Sequence, residues 1–242
     1  MRKWLALLMF LAATASAQSQ AEPSQSSASS AAPQSHAVDE NEHFRVERFD
    51  FDGKSQIDLP RHRPDAIIVS LGQDLALSSP KSNRAEALAN GDVRFLGQRA
   101  DSIIIHTDDG QSQFLVIELK HHWDAEIRPC VETKACTHVV RIGGFEIGTS
   151  TSLFTNGFVT AYRDQIGKGG TLATSYYSAK GKHHLMFVAL DDLHANFDGT
   201  EHDLKPGQVV ASDAAEVEVD AGSHEARWIV IRIEGPKDQE QK

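Results

Sequence analysis

The sequence lacks the features that mark several functional classes. Lysine and arginine number 24 against 34 aspartate and glutamate residues, so the chain has no basic excess for binding nucleic-acid phosphates. Only two of its 242 residues are cysteines, too few for a disulfide-framed miniprotein. No Gly-Xaa-Ser-Xaa-Gly elbow, phosphate-binding glycine loop or dinucleotide fingerprint is present. Motifs therefore indicate neither a nucleic-acid binder nor a common hydrolase or nucleotide enzyme.

Long apolar runs are absent except at the N-terminus. Arg2 and Lys3 precede an apolar run at residues 4–13, too short to span a bilayer, and the small residues Ala15-Ser16-Ala17 follow it. Residues 1–17 are predicted to be a cleavable signal peptide, which implies a periplasmic or secreted protein that is not membrane-embedded. Without this segment the net charge changes from −10 to −12. The predicted cleavage point has no cysteine, which argues against a lipid anchor.

Two further segments are too poor in large apolar side chains to offset the entropy of ordering. Residues 18–37, rich in Ser, Ala and Gln, are predicted to be a disordered linker, and residues 236–242 a flexible tail. The residues between them contain short β-branched runs such as Ile67-Ile68-Val69 and Ile229-Val230-Ile231. Their length and composition favour strands, so an all-β protein is expected.

The strand pattern occurs twice. In the first half, Leu71 precedes Gly91 by 20 residues, and in the second half Leu190 precedes Gly207 by 17. A strand rich in aliphatic residues follows each glycine after a similar interval. This spacing indicates an internal duplication into halves of about 100 residues, the usual size of a β-sandwich or jelly-roll unit.

The repeated segments resemble the cupin superfamily, in particular its two-domain members, the bicupins. The matching stretches are Arg61-His62-Arg63-Pro64-Asp65, Gly91-Asp92-Val93-Arg94-Phe95, Asp108-Asp109-Gly110, Gly169-Gly170-Thr171-Leu172, Pro206-Gly207-Gln208-Val209 and Asp220-Ala221-Gly222-Ser223. The resemblance implies two tandem double-stranded β-helix (jelly-roll, cupin) barrels. They would occupy residues 38–120 and 150–235, with an inter-barrel bridge at 121–149.

The resemblance also implies where a metal would lie, because the family holds one with two His, a Glu and a further His. Only His62 falls at such a position, and neither repeat keeps the full ligand set. Degenerate metal motifs and no cofactor are therefore expected. The alternative is one divalent transition metal in the N-terminal barrel, held by His62, Asp65 and His106, since two His and a carboxylate form the minimal facial arrangement.

Aromatic side chains offer a further candidate site. The resemblance places Tyr176 and Tyr177 where the second repeat lacks its histidines, facing the barrel lumen. They are predicted either to line a small-ligand pocket or to fill the space that a metal would occupy.

Other polar clusters have simpler interpretations. The pairs His121-His122 and His183-His184 are predicted to be surface or bridging residues, because adjacent strand residues point to opposite faces. Glu216, Glu218 and Asp220 alternate and share one strand face, which indicates a solvated face, with a calcium-like cluster as the alternative.

Cys130 and Cys136 are predicted to form a disulfide within the bridge, as expected in an exported chain. So short a ring contributes roughly 2 kcal/mol at best, so it would pin a local loop. The alternative redox role lacks the two-residue spacing of thioredoxin-like motifs.

The leading interpretation is an exported, metal-free bicupin that binds a small molecule or has a structural role. The alternative is a metal-dependent cupin enzyme of dioxygenase or isomerase type with a remodelled N-terminal site. A third class, carbohydrate or envelope binding, has no aromatic platform to support it. We expect a monomer whose two barrels pack through their sheets.

Overall fold

Strands form nearly all of the regular structure. The computed structural model describes residues 33–60, 64–72, 75–81, 84–97, 101–107, 111–122, 128–130, 136–175 and 183–234. These residues form twenty strands and no helical element, so the all-β prediction is confirmed. None of the described segments is a helix able to cross a membrane.

Each half of the chain contributes one barrel. Barrel 1 comprises β1 (Gln34–Glu40), β2 (Phe44–Asp52), β3 (Ser55–Leu59), β4 (Ala66–Ser70), β5 (Leu75–Ser78), β6 (Glu86–Leu88), β7 (Val93–Leu96), β8 (Ile103–Thr107) and β9 (Gln111–Leu119). Barrel 2 comprises β10 (Arg128–Pro129), β11 (Thr137–Ile142), β12 (Phe145–Thr155), β13 (Val159–Ile166), β14 (Thr171–Ser175), β15 (His183–Ala189), β16 (Leu193–Phe197), β17 (Thr200–Leu204), β18 (Val209–Ser212), β19 (Glu216–Asp220) and β20 (Ala226–Glu234).

The strand order confirms the duplication. Sheet A has the order β1-β2-β9-β4-β7, and sheet B has the order β3-β8-β5-β6. In barrel 2, sheet C contains β12-β13-β20-β15-β18, extended by β10 and β11, and sheet D has the order β14-β19-β16-β17. Adding eleven to each strand number of sheets A and B gives the order of sheets C and D. The two barrels are therefore two copies of one antiparallel sandwich.

The ladders also define equivalent residues. Phe44 pairs with Leu119 as Val159 pairs with Ile233. An asparagine begins each ladder: the Asn41 side-chain oxygen accepts hydrogen bonds from the backbone N–H of Phe44, and Asn156 does the same for Val159. Phe44 is thus equivalent to Val159, and each later position of β2 corresponds to one of β13.

Three apolar cores hold the molecule together. One lies between sheets A and B, one between sheets C and D, and the third, between sheets A and C, joins the barrels. The third core confirms the prediction that the barrels pack through their sheets. It also explains the continuous apolar runs of β4, β15 and β20, because both faces of these strands are buried. Each large aliphatic side chain buried there contributes about 1.5–3 kcal/mol.

Two glycines make the packing of the barrels reciprocal. Gly91 has φ of +85° and Gly207 has φ of +79°, a conformation that favours glycine. A Cβ on Gly91 would lie 2.7 Å from Cδ1 of Leu190, and one on Gly207 would lie 3.1 Å from Cδ1 of Leu71. The leucine that directly follows β4 or β15 therefore packs on the glycine turn of the other copy.

The structure differs from two predicted boundaries. β1 begins at Gln34, inside the segment 18–37 predicted to be disordered, and its residues are mostly exposed. Main-chain pairing with β2 orders it, and such pairing leaves no hydrophobic pattern in the sequence. The predicted bridge at 121–149 contains β10, β11 and the start of β12, all of which belong to sheet C.

The predicted disulfide is confirmed. Cys130 and Cys136 are bonded, with their Cα atoms 6.0 Å apart. Cys130 directly follows β10 and Cys136 directly precedes β11, and both of these strands pair with β12. The bond therefore fastens two edge segments of sheet C to each other.

Candidate functional site

The middle of each barrel is filled by apolar side chains. In barrel 1 the lumen contains Phe49, Ile68, Ile105, Phe114 and their neighbours. In barrel 2 it contains residues such as Phe187, Phe197 and Trp228. Metal ligands in proteins are imidazoles, carboxylates or thiolates. On the lumen side of barrel 2, the buried carboxylate of Asp164 and the buried imidazole of His183 are such groups, but no third ligand joins them among the described residues.

The residues proposed for a metal site in barrel 1 do not converge. Ile105 and Thr107 are buried on the lumen side of β8, so His106 between them lies on the outer face of sheet B. Asp65 precedes β4 and lies on the face of sheet A that is turned to barrel 2, opposite to the lumen residue Ala66. Asp65 and His106 thus lie on different sides of the apolar core of barrel 1, and the structure does not bring them together.

Asp65 has a different role. It is 3% exposed, and its Oδ2 lies 2.6 Å from Nδ1 of His122. The third proposed ligand, His62, lies outside the described residues, as do Tyr176 and Tyr177. No group of three His, Cys, Asp or Glu residues suited to a metal ion occurs in the described parts of the chain.

The histidines of β15 are more buried than predicted. His183 is 8% exposed, and its Nε2 lies 3.0 Å from the carbonyl oxygen of Ala214. His184 faces the other way, and its ring stacks on that of His43 with centroids 3.7 Å apart. Both positions were predicted to be surface or bridging residues, which is wrong for His183 because both faces of β15 are covered.

The acidic strand, in contrast, is as predicted. Glu216, Glu218 and Asp220 are exposed at alternate positions of β19, while Val217 and Val219 are buried in the lumen. These three carboxylates form a solvated face of sheet D.

A polar group lies at one end of the barrel 2 lumen. On β20 the lumen-facing residues Trp228 and Val230 are followed at the same spacing by Arg232 and Glu234. The ladder places Thr160 beside Arg232 and His183 beside Glu234. The fifth member of the group, on the same face of β13, is Tyr162. We call these five residues the barrel 2 mouth.

The charges of the barrel 2 mouth are unusually buried. Glu234 is 3% exposed, and its Oε1 lies 3.0 Å from Nε of Arg232. This contact is an ion pair without hydrogen-bond geometry, and Arg232 Nε has no hydrogen-bond partner among the described residues. A carbonyl oxygen can only accept, so the contact of His183 with Ala214 is a donation from Nε2. A buried ion pair is expensive to desolvate and a buried unpartnered donor is rare, so both point to a functional role.

The equivalent positions of barrel 1 are charged but open to solvent. Arg45 and Glu118 take the places of Thr160 and Arg232, and Glu47 takes that of Tyr162. Arg45 is bonded to Glu47, with side chains 43% and 26% exposed. Lys120, equivalent to Glu234, pairs with Glu40 at 2.8 Å on the surface. Arg45 also has a buried Nε without a hydrogen-bond partner among the described residues, but its carboxylate partner Glu47 is 26% exposed, whereas the side chain of Glu234 is 4% exposed.

Sequence reasoning missed the barrel 2 mouth. Arg232 and Glu234 lie on either side of Ile233 at the end of an apolar run, so the signal was present in the sequence. The run is apolar at every position, however, and a pattern without alternation does not tell which face is the lumen.

No family model and no curated protein sequence matches the chain. Its similarity to known proteins is therefore found among solved structures. A cupin 2 conserved barrel domain protein from Leptotrichia buccalis is 12% identical with a TM-score of 0.51, over 84% of this chain and 89% of its own. Procruciferin, an 11S globulin from Brassica napus, is 10% identical with a TM-score of 0.56, over 84% of each chain. A variant of oxalate decarboxylase from Bacillus subtilis is 9% identical with a TM-score of 0.56, over 84% of this chain and 73% of its own.

These likenesses show the fold, which is that of cupin-type barrels. One neighbour is a decarboxylase by name and another a globulin, so the fold does not determine an activity.

Proposed function

We propose that the protein is an exported binding module of two cupin-type barrels, with degenerate metal motifs, that takes a small polar anion at the barrel 2 mouth without a metal. The observation that carries the proposal is the group of Arg232, Glu234 and His183 at the end of a mainly apolar lumen, where Glu234 and His183 are almost fully buried and Arg232 is partly exposed. A buried charge that stability does not require is typical of a binding or catalytic site.

The chemistry of the mouth favours a small hydroxy acid. Among the described residues, the only ionic partner of Arg232 is Glu234, through Nε. Its remaining donors are suited to a carboxylate, which a guanidinium binds through paired hydrogen bonds. Thr160 and Tyr162 add hydroxyl groups that can bind a ligand hydroxyl. Residues 176–182 connect Ser175 to His183, and within this connection we propose that Tyr176 and Tyr177 complete the pocket.

The metal-dependent alternative in barrel 1 has less support. A dioxygenase or isomerase site there would need ligands other than Asp65 and His106. We expect protein purified without a His tag to hold no near-stoichiometric iron, manganese, nickel or zinc. Metal that disappears in His62→Ala would contradict the metal-free proposal.

Export and a monomeric state are part of the same proposal. Residues 1–17 have the pattern of a secretory signal, and the disulfide suits an oxidising compartment. A monomer is supported by the third core, because the apolar outer faces of sheets A and C cover each other within one chain.

Binding at the mouth can be tested by thermal unfolding with lactate, malate, citrate and gluconate, and with glucose as the neutral control. We expect at least one acid to raise the melting temperature, since a ligand at a hundred times its dissociation constant stabilises by about 2.7 kcal/mol. Arg232→Gln should abolish the shift. Glu118→Gln, at the equivalent position of barrel 1, should retain it. A shift that survives in Arg232→Gln, or stabilisation by glucose alone, would contradict the proposal.

A further inference from the structure

A second polar group lies in a groove between the barrels. The groove has a volume of about 520 Å³ and is lined by β1 and β2 of barrel 1 and by β17 and β18 of barrel 2. Its residues include the Gly207 turn, which is at the opposite end of β18 from the barrel 2 mouth, since Leu185 pairs with Ser212 and Val188 with Val209. This volume is within the usual range of small-molecule pockets, about 300–1,000 Å³.

Arg48 is held in a fixed orientation in this groove. Its Nε donates a hydrogen bond to Oδ1 of Asp50 at 3.2 Å, and Oδ2 of the same carboxylate lies 2.7 Å from Nε2 of His36 on β1. A Cβ on Gly207 would lie 3.2 Å from Nη1 and 3.7 Å from Cζ of Arg48. The guanidinium therefore packs closely on the Gly207 backbone, where a larger residue would crowd it.

The two Nη groups of Arg48 are available to a ligand. Within the described residues, Asp50 is the only hydrogen-bond partner of this side chain, which is 25% exposed. The other acidic residue of the groove, Asp203, is 92% exposed and is bonded to Nδ1 of His194 at 2.9 Å. Arg48 thus presents an oriented pair of donors, the arrangement that binds a carboxylate through two parallel hydrogen bonds.

The groove also has aliphatic side chains, beside the polar residues His202 and Gln208. Leu204, Val209 and Val210 line it from barrel 2, and Val38 lines it from β1. Val38 is 40% exposed, one of few large apolar side chains on the described surface. An aliphatic surface beside one oriented cation complements a ligand with a carboxylate and an apolar chain.

We propose that this groove binds a short-chain aliphatic carboxylate, with Arg48 pairing to the carboxylate and Val38, Leu204 and Val209 covering the chain. This site is separate from the barrel 2 mouth, and its ligand is amphipathic where that of the mouth is polar.

Octanoate is the probe, with acetate and octanol as analogues that lack the chain or the charge. Isothermal titration of the full chain should show octanoate binding in the millimolar range or tighter, and each analogue binding about tenfold more weakly. Acetate binding as tightly as octanoate would overturn the proposal, and so would no detectable binding of octanoate.

Single substitutions test whether octanoate binds in the groove. Arg48→Gln should weaken octanoate about tenfold. Val38→Asp, at an exposed position that folding tolerates, should weaken it similarly by opposing the carboxylate. The matched control is Arg163→Gln, since Arg163 faces Asp92 at 3.5 Å outside the groove and its loss should leave the affinity unchanged. Unchanged affinity in both Arg48→Gln and Val38→Asp would overturn the assignment.

The barrel 2 mouth is tested separately with the same probe. Arg232→Gln should leave octanoate binding unchanged while it removes the response to hydroxy acids. If Arg232→Gln instead abolishes octanoate binding, octanoate occupies the mouth and the groove proposal is wrong. Failure of the hydroxy-acid response alone would contradict the proposed function and leave the groove assignment standing.

Discussion

The two barrels have the same strand order but different side chains at several equivalent positions. At the open end of barrel 1, Arg45, Glu47 and Lys120 form ion pairs that solvent reaches. At the same end of barrel 2, Glu234 and His183 are almost fully buried. The framework of apolar residues is thus retained in both copies, while the charged residues at the end of the lumen have diverged. This difference favours a ligand site in barrel 2 over one in barrel 1.

The largest expected effects come from the two lumens. Phe114 and Trp228 are equivalent, and both are fully buried. Phe114→Ala and Trp228→Ala should each lower the free energy of unfolding by about 3–5 kcal/mol, because each leaves a large cavity. Since the third core joins the barrels, each variant should shift one common transition in urea. Two separate transitions, with only one moved, would show that the barrels unfold independently.

A smaller loss of stability is expected from substitutions at the open ends of the two barrels, and it should differ between the ends. Glu234→Gln leaves Arg232 without its buried partner, and we expect a loss of about 2 kcal/mol, reduced from the fully buried case because Arg232 is partly exposed. Lys120→Gln, at the equivalent position, breaks a surface pair and should cost at most about 1 kcal/mol. Urea midpoints of both variants check the comparison. Equal losses would mean that the two ends are not different in environment.

The reciprocal glycines provide a matched pair of backbone variants. Both Gly91→Ala and Gly207→Ala put a side chain at positive φ, which costs about 1–2 kcal/mol. Gly91→Ala should cost more, because its Cβ would lie 2.7 Å from Leu190, whereas that of Gly207 would lie 3.1 Å from Leu71. Differential scanning calorimetry measures both, and a more damaging Gly207→Ala would contradict the packing described for the two turns.

The smallest expected effect is a pH dependence from the histidines between the barrels. Burial lowers the pKa of His43, and the neighbouring His184 and His121 lower it further, while Glu42 raises it. On barrel 1 the backbone N–H of Lys120 donates to the carbonyl oxygen of His43, and on barrel 2 Asp213 is bonded to His184, whose ring stacks on His43. As the pH falls below 6.5, the ordinary pKa of a histidine, the unfolded chain therefore binds a proton at residue 43 more readily than the folded chain does.

It follows that stability present above that pH is lost as the pH falls below it. Barrel 2 has Phe158 at the equivalent position, so His43→Phe should reduce the fall in urea midpoint between about pH 7.5 and about pH 5.5. His194 provides a comparison of opposite sign, because its hydrogen bond to Asp203 raises its pKa. Its contribution is present below pH 6.5 and is lost as the pH rises through the raised value. An unchanged pH dependence in His43→Phe would show that other groups cause it.

Sequence patterns predicted the strands, the duplication and the disulfide, because each depends on local composition or on spacing along the chain. β1 was missed because a polar edge strand is held by main-chain hydrogen bonds. Asp65 and His106 lie on different sides of barrel 1, and residue type alone does not tell on which side of a sandwich a side chain lies. His183 was misassigned for a related reason, since a strand buried on both faces has no polar side in its pattern.

The amino-acid sequence by itself determined that this chain is all-β, twofold repeated and cross-linked between Cys130 and Cys136. Glycine positions, β-branched runs and cysteine spacing are local properties of the sequence, so their effects do not depend on which distant segments come into contact. Only the tertiary structure decided that sheets A and C share a core, that Arg232 and Glu234 end a lumen, and that Arg48 meets Gly207 in a groove. The shared core and the groove join residues far apart in the chain and arise only when the two barrels pack together, whereas the lumen end arises when sheets C and D close on each other.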